Sequence, residues 1–295
     1  MQEQLVLQTP AADFAREFVF TGVDFQRIQK LIYEHAGISL AESKQEMVYS
    51  RLARRLRAHR LSSFAQYIAL LEDHGADERQ AFVNALTTNL TSFFREPHHF
   101  SELTRFLQER RGRREPFTIW CSASSTGEEA YSIAMTAIDA FGSLTPPVSI
   151  VATDVDTNVL EKAAAGVYAQ EKVKKLSAEQ LRRFFVKGAG ANAGSVKVRP
   201  ELSALLTFRR LNLLEPTWPV RAPFDAVFCR NVMIYFDKPT QRQVLLRLAP
   251  LLRHDGLLFA GHSESFLHCV DVFRLRGSTV YELAATPSQL AVGVR

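Results

Sequence analysis

Cysteine is scarce in this chain of 295 residues. Cys121, Cys229 and Cys269 stand far apart with no C-x-x-C pair, which argues against both a disulfide framework and a cysteine-ligated zinc site. Long apolar runs are missing too: none approaches the ~20 residues that a bilayer-spanning helix needs. Residues 1–10 lack a basic stretch followed by an apolar one, so no secretory leader is expected and the expected location is cytoplasmic. The eight histidines show neither H-x-x-x-H nor H-E-x-x-H spacing, and no metal centre is expected. No G-x-S-x-G elbow supports a hydrolase. Charge of one sign is also limited: 36 basic against 31 acidic side chains leave +5, too little to imply nucleic acid unless it is concentrated somewhere.

What is present divides the chain in two. From Asp24 to about Leu86, apolar residues recur at helical spacing, as in Phe25, Ile28, Leu31 and Ile32, then Val48, Leu52 and Leu56. Asp24, Ser62 or Ser63, and Asp77 are expected N-caps, and Gly37 and Gly75 expected stops. The span 1–90 is read as a helical domain, and 91–115 as a linker with a connecting helix. Beyond it, strand candidates Phe117 to Cys121, Val148 to Thr153, Leu206 to Leu211, Phe224 to Cys229 and Gly256 to Gly261 alternate with helices. The pattern predicts an α/β fold, an open doubly wound Rossmann-like sheet over 116–285 with an antiparallel edge hairpin, followed by a tail at 286–295. About forty residues, 167–205, break the alternation. Their capping-box sequence Ser177 to Gln180 and two short strand candidates predict a small inserted antiparallel subdomain.

The turn Ser124 to Ser132, after the first strand, carries one glycine and the adjacent carboxylates Glu128 and Glu129 where a pyrophosphate would need donors. A nucleotide-like ligand that carries a positive charge and no phosphate, such as S-adenosylmethionine, fits better. Asp154 and Asp156 follow the second strand; Asp154 suits the hydroxyls of an adenosine ribose and Asp156 a helix cap. Asn212 and Leu213 follow the third strand, and Arg230, Asn231 and Tyr235 the fourth. Arg230 interrupts a buried-looking stretch and so faces either a crevice or a salt bridge. Asn89, Thr91 and Arg95 lie between the two domains, where a segment can form a lid over a crevice. The helix from Ser43 to about Arg60 holds six cations against Glu46. Lys44, Arg51, Arg54 and Arg55 share roughly one third of its circumference, a face suited to acidic helical protein, RNA or an anionic membrane.

Taken together, Thr88 to Glu96, Ser125 to Ile133, Thr153 to Asp156, Phe224 to Phe236 and Gly261 to Glu264 resemble, in order, the motifs of the bacterial chemotaxis receptor glutamate O-methyltransferases. The resemblance spans about Phe25 to Leu283. Ala130 stands where that family commonly has Pro, a change the first helical turn accepts. The resemblance implies an S-adenosylmethionine site lined by Asn89, Thr91, Arg95, Glu129, Asp154, Asn212, Leu213, Arg230 and Asn231. It places Arg95, Arg230 and Tyr235 near the transferred methyl as the catalytic set. It also implies receptor binding through the basic helix, with Lys44, Arg51, Arg54 and Arg55 as substrate contacts, and capture of a receptor's carboxyl-terminal pentapeptide by the inserted subdomain. A monomer recruited from the cytoplasm to membrane-bound receptor arrays is expected. Three other readings compete. A nucleic-acid methyltransferase predicts an Asn-Pro-Pro-Tyr-like run after the fourth strand, which Arg230 to Met233 is not. A silent receptor-binding adaptor keeps the fold without transfer, and a dinucleotide oxidoreductase lacks its glycines.

Overall fold

A computed structural model of the protein describes residues 16–73 and 76–284. The first layer is helical: α1 (Gly22–Ala36), α2 (Gln45–Ala58), α3 (Phe64–Asp73) and α4 (Ala76–Leu86). Their apolar stripes meet in one core that includes Phe25, Ile28, Leu52, Leu56, Phe64, Tyr67 and Phe82, each essentially inaccessible to solvent. Burial of such a side chain stabilises by roughly 1.5–3 kcal/mol. Asp24 is not the N-cap of α1. Thr21 is, and Asp24 at N3 closes a reciprocal capping box, since the Thr21 hydroxyl accepts from Asp24 N while Asp24 accepts from Thr21 N. Gly37 ends the helix in the left-handed conformation at φ 67° as expected, and Ser63 accepts from Gln66 N at the start of α3. The Gly75 stop falls outside the described residues. The basic helix is shorter than expected: a 3₁₀ turn at Glu42–Lys44 precedes α2, which ends at Ala58.

After α5 (His98–Glu109) come β1 (Phe117–Cys121), α6 (Glu128–Phe141), β2 (Val148–Asp154) and α7 (Thr157–Ala165). A three-stranded antiparallel sheet follows, of β3 (Val167–Ala169), β4 (Phe185–Lys187) and β5 (Ser195–Val198) in the order β3-β5-β4. It is interspersed with α8 (Gln170–Val173), α9 (Ala178–Phe184) and α10 (Pro200–Ser203). The main sheet resumes with β6 (Leu206–Arg210), β7 (Phe224–Phe228), α11 (Lys238–Leu248), β8 (Leu252–Phe259), β9 (Phe273–Gly277) and β10 (Val280–Leu283).

Seven strands run in the order β6-β2-β1-β7-β8-β10-β9. The first five are parallel and the last two antiparallel. The chain winds outward from β1 to β2 and β6, then returns to place β7 on the other side of β1. That reversal is the switch point where an open α/β sheet forms a crevice beyond its strands' carboxyl ends. The strand β8 starts at Leu252, four residues before the expected start, and Gly256 is kept inside it because a Cβ there would lie 3.0 Å from the Asp225 carbonyl. The third strand of the small sheet, β3, escapes a pattern search because three residues carry too little alternation.

Candidate functional site

The carboxyl ends of β1, β2, β6 and β7 open into one cavity of about 370 Å³, closed from above by residues 36–47 of the helical domain and by the segment 86–95. That volume lies within the range of small-molecule sites. Asn89, Thr91, Arg95, Glu129, Asp154, Asn212, Leu213, Arg230, Asn231 and Tyr235 all line it, and so does Lys44.

Asp154 sits at the end of β2 with 8% of its surface accessible. Its two oxygens accept from Ser125 N (2.8 Å) and Asp156 N (3.0 Å). Burial raises its pKa to about 6 against the pull of those two amides. Asp156 caps α7 by accepting from Asn158 N, and its other oxygen receives Asn89 Nδ2 and the Thr87 hydroxyl, both at 2.8 Å. Asn89 therefore staples the interdomain segment to the sheet with its amide nitrogen. Ser125 Oγ donates to Asn89 O, and Phe94 N donates to Ser132 Oγ, so the same segment is fastened along its length.

Asn212 plays a comparable part beyond β6: its Nδ2 donates to His35 O in α1 at 2.6 Å while its Oδ1 accepts from Leu214 N. Tyr235 contributes its ring to the wall, accepts from Ser39 N through its backbone oxygen and lies 3.5 Å from Thr88 O.

Arg230 both faces the crevice and forms a salt bridge. Its fully buried guanidinium contacts Glu129 at 2.6 Å and Glu96 at 3.3 Å, and it donates to the Arg95 carbonyl. Burial pushes the Glu96 carboxyl upward, yet Arg230, His262 and His99 outweigh it and bring it down to about 2. Glu129 is the reverse. Burial raises its pKa and outweighs Arg230, although that guanidinium is closer. Cys121 Sγ donates to its second oxygen at 3.3 Å, and burial beside that carboxylate pushes the thiol well above its ordinary value. Arg95 is less committed: it donates to Leu90 O and keeps 31% of its side chain accessible.

The paired carboxylates do not act as a pair. Glu128 turns away from the cavity, fully buried, to accept from Thr126 Oγ1 and Lys172 at the inserted subdomain. Nor does the cationic face of α2 stand free as a unit. Arg51 donates to the carbonyls of Leu86 and Thr87, and Arg55 is bonded to Glu78, which His59 and Tyr67 also contact. Lys44 and Arg54 remain exposed. Two residues with large roles went unassigned from sequence. Glu264, 5% accessible, accepts from the backbone of Gly261, Asn231 and Met233 and so holds the Arg230–Tyr235 segment, in which Asn231 adopts φ 58°. Glu96, itself at φ 58°, holds Arg230 through Nη2 while Glu129 takes Nη1. Each lies inside a quoted motif, but nothing in the spacing of a lone glutamate says which amides it will meet.

Comparison with known proteins gives two family matches: residues 23–87 to "CheR methyltransferase, all-alpha domain" and residues 89–282 to "CheR methyltransferase, SAM binding domain". Among curated relatives, the chain is 53% identical over 277 residues to "Chemotaxis protein methyltransferase 2" of Pseudomonas aeruginosa, covering 94% of this chain and 99% of that one. It is 53% identical over 261 residues to the "Chemotaxis protein methyltransferase" of Salmonella typhimurium, covering 88% and 90%. To that of Escherichia coli it is 49% identical over 284 residues, covering 96% of each.

Proposed function

The chain belongs to the CheR methyltransferase family, an S-adenosylmethionine-dependent methyltransferase of chemotaxis, and on that premise we propose that it esterifies glutamate side chains in the cytoplasmic domains of chemoreceptors. The observation that carries this reading is the convergence of Asp154, Glu129, Arg230 and Arg95 on one cavity at the switch point of the sheet. The donor set fits the cofactor. Asp154 accepts one backbone amide at each oxygen, which leaves lone pairs to accept from ribose hydroxyls. Glu129 presents a carboxylate to an ammonium group, and the Leu211–Leu213 stretch supplies backbone and apolar wall for an adenine. When bound, S-adenosylmethionine supplies a methyl group on a sulfonium and departs as S-adenosylhomocysteine.

Little acid–base work is asked of the protein. A glutamate carboxylate, with an ordinary pKa near ~4.3, is already the nucleophile at neutral pH. Methylation of its oxygen would require no proton to move, so no side chain need act as a base. The two opposite charges disappear together, so positioning and exclusion of water are what the site contributes. Arg95, accessible and loosely paired, orients the incoming carboxylate. Arg230 is held by Glu96 and Glu129 and fixes the wall on which Tyr235 packs. A cation bound too tightly to the substrate would stabilise the ground state instead.

Substrate selection falls to surfaces outside the cavity. Lys44 and Arg54 are the exposed cations for an acidic receptor helix, with Arg51 and Arg55 shaping the domain that presents them. The small sheet β3-β5-β4 is the candidate seat of a receptor pentapeptide, and recruitment of a monomer to receptor arrays follows from these contacts. Among the described residues no helix is long and apolar enough to cross a membrane. The test is transfer from methyl-labelled S-adenosylmethionine to purified receptor cytoplasmic domains. Label released by mild base supports a carboxyl methyl ester, base-stable label overturns it, and receptor binding without transfer favours the adaptor.

A further inference from the structure

We propose that Glu96, His98 and His99 form a binding site for one zinc-class divalent cation at the edge of the cavity. A carboxylate oxygen of Glu96 and one ring nitrogen of each histidine all lie within 4.8 Å of one another. Hydrogen bonding makes the case stronger than proximity alone. The Nε2 of His99 faces two oxygens, Ser278 O at 3.1 Å and Thr279 Oγ1 at 3.0 Å. Thr279 already donates its hydroxyl hydrogen to Ser278 O at 2.7 Å. Both oxygens are therefore acceptors, and Nε2 must carry the ring hydrogen.

In the neutral ring Nδ1 is then a bare lone pair. It points at the Glu96 carboxylate, 3.6 Å from Oε2, in a side chain with 0% of its surface accessible. Neither His99 Nδ1 nor Glu96 Oε2 has a hydrogen-bond partner among the described residues. His99 Nδ1 is thus a buried lone pair with no such partner, and Glu96 Oε2 beside it has only the Arg230 guanidinium at 3.3 Å; a metal ion between the two would satisfy both. Ligands about 2.0–2.1 Å from a tetrahedral zinc stand only slightly closer together than this pair. His98 has the same tautomer, because its Nε2 also meets Ser278 O, at 3.2 Å. An imidazole that donates its other N–H to a carbonyl is the usual metal-bound arrangement. Access exists as well, since His98 and Ser278 line a solvent-open groove of about 530 Å³. The spacing search misses this site because its ligands are sequence neighbours brought together by the turn into α5.

Glu96 also holds Arg230 at 3.3 Å, so the cation competes with that guanidinium for the carboxylate. Occupancy should inhibit methyl transfer, a consequence that rests on the proposed function, whereas binding itself does not. The test is titration of the chelator-treated full chain with cobalt(II), followed by zinc(II) competition against a chromophoric chelator. One equivalent should bind with visible d–d absorption, and His98→Ala and His99→Gln should each weaken it at least about tenfold. His98→Ala removes an exposed ligand, so a folding defect in the buried His99 variant would not cloud the result. Absence of saturable binding, binding indifferent to both variants, or an imidazole NMR signature of doubly protonated His99 at pH 7 would each overturn the proposal.

Discussion

Arg230→Met provides the sharpest test of the buried ion cluster. The substitution removes a cation that is itself 0% accessible and leaves Glu96 and Glu129, each with about a tenth of its side chain accessible, without their shared partner. Glu96 stands at about 2 instead of 4.5, a difference worth about 3 kcal/mol at about 1.36 kcal/mol per pH unit. Part of that belongs to His262 and His99, while loss of the Glu129 contact adds to the total. A cost of about 3 kcal/mol at pH 7 is consistent with the range of roughly 3–5 kcal/mol for breaking a buried pair. The pH dependence is the discriminating feature. Because the folded carboxyl is depressed, its stabilisation is complete above pH 4.5 and is lost as the pH falls toward 2. The wild type should therefore lead the variant by its full margin at pH 7, and the gap should narrow by pH 3.5. Both tryptophans, Trp120 and Trp218, lie in the sheet domain, so their fluorescence during urea unfolding reports that domain alone. At a slope of about 3 kcal/mol per molar urea, the midpoint should drop by about 1 M. Adding Glu96→Gln to the variant should recover part of the loss. A gap that stays constant from pH 7 to pH 3.5, or a double variant weaker than the single by the full cost of Glu96→Gln, would refute the reasoning.

Ribose hydroxyls that bond to ionised Asp154 should lose affinity as its carboxyl protonates. S-adenosylmethionine binding, followed by calorimetry, should weaken as the pH falls below about 6, and Asp154→Asn should weaken it at pH 7.5 by about tenfold. Glu264→Ala strips the acceptor from three backbone amides, at about 1–3 kcal/mol for each group left buried. It should lower kcat for receptor methylation more than it lowers cofactor affinity, because the segment it holds carries Arg230 and Tyr235. Among the basic residues of the first domain, Lys44→Glu and Arg54→Glu should raise KM for receptor domains with cofactor affinity unchanged. Arg55→Ala should instead lower the melting temperature of the helical domain, since it deprives the buried Glu78 carboxylate of its arginine partner.

Much of the fold was legible because its signals are local and periodic. The helices α6 and α7 and the strands β1, β2 and β7 begin or end within a residue of their expected bounds, each marked by a glycine, a cap or an apolar run. Family membership was legible for a different reason, the order of five motifs. What stayed hidden depends on long-range pairing. The face of α2 reads as four free cations on a helical wheel, but a wheel does not contain Glu78 or the carbonyls at the end of α4, which engage Arg55 and Arg51. Glu128 and Glu129 look equivalent in the sequence. One residue turns a helix by about 100°, and that sends one carboxylate to Lys172 and the other to Arg230.

The same cluster determines how a single cavity can host two oppositely charged ligands. Asp154 and Glu129 line it and favour a cationic cofactor, yet on the proposed function the second substrate arrives as a carboxylate that those groups repel. Placing Arg230 between Glu96 and Glu129 offsets one of their two negative charges without creating a free cation to trap the substrate. On the proposed function, Arg95 is then the cation left to meet the carboxylate, on a segment fastened to the cap of α7 through Asn89 and to α6 through Phe94. Arg95→Lys separates charge from geometry. It keeps the cation but loses the planar fork that orients a carboxylate, so kcat should fall by about tenfold or more while cofactor affinity holds. Unchanged kcat in that variant would mean that charge alone guides the substrate and that the fork contributes nothing.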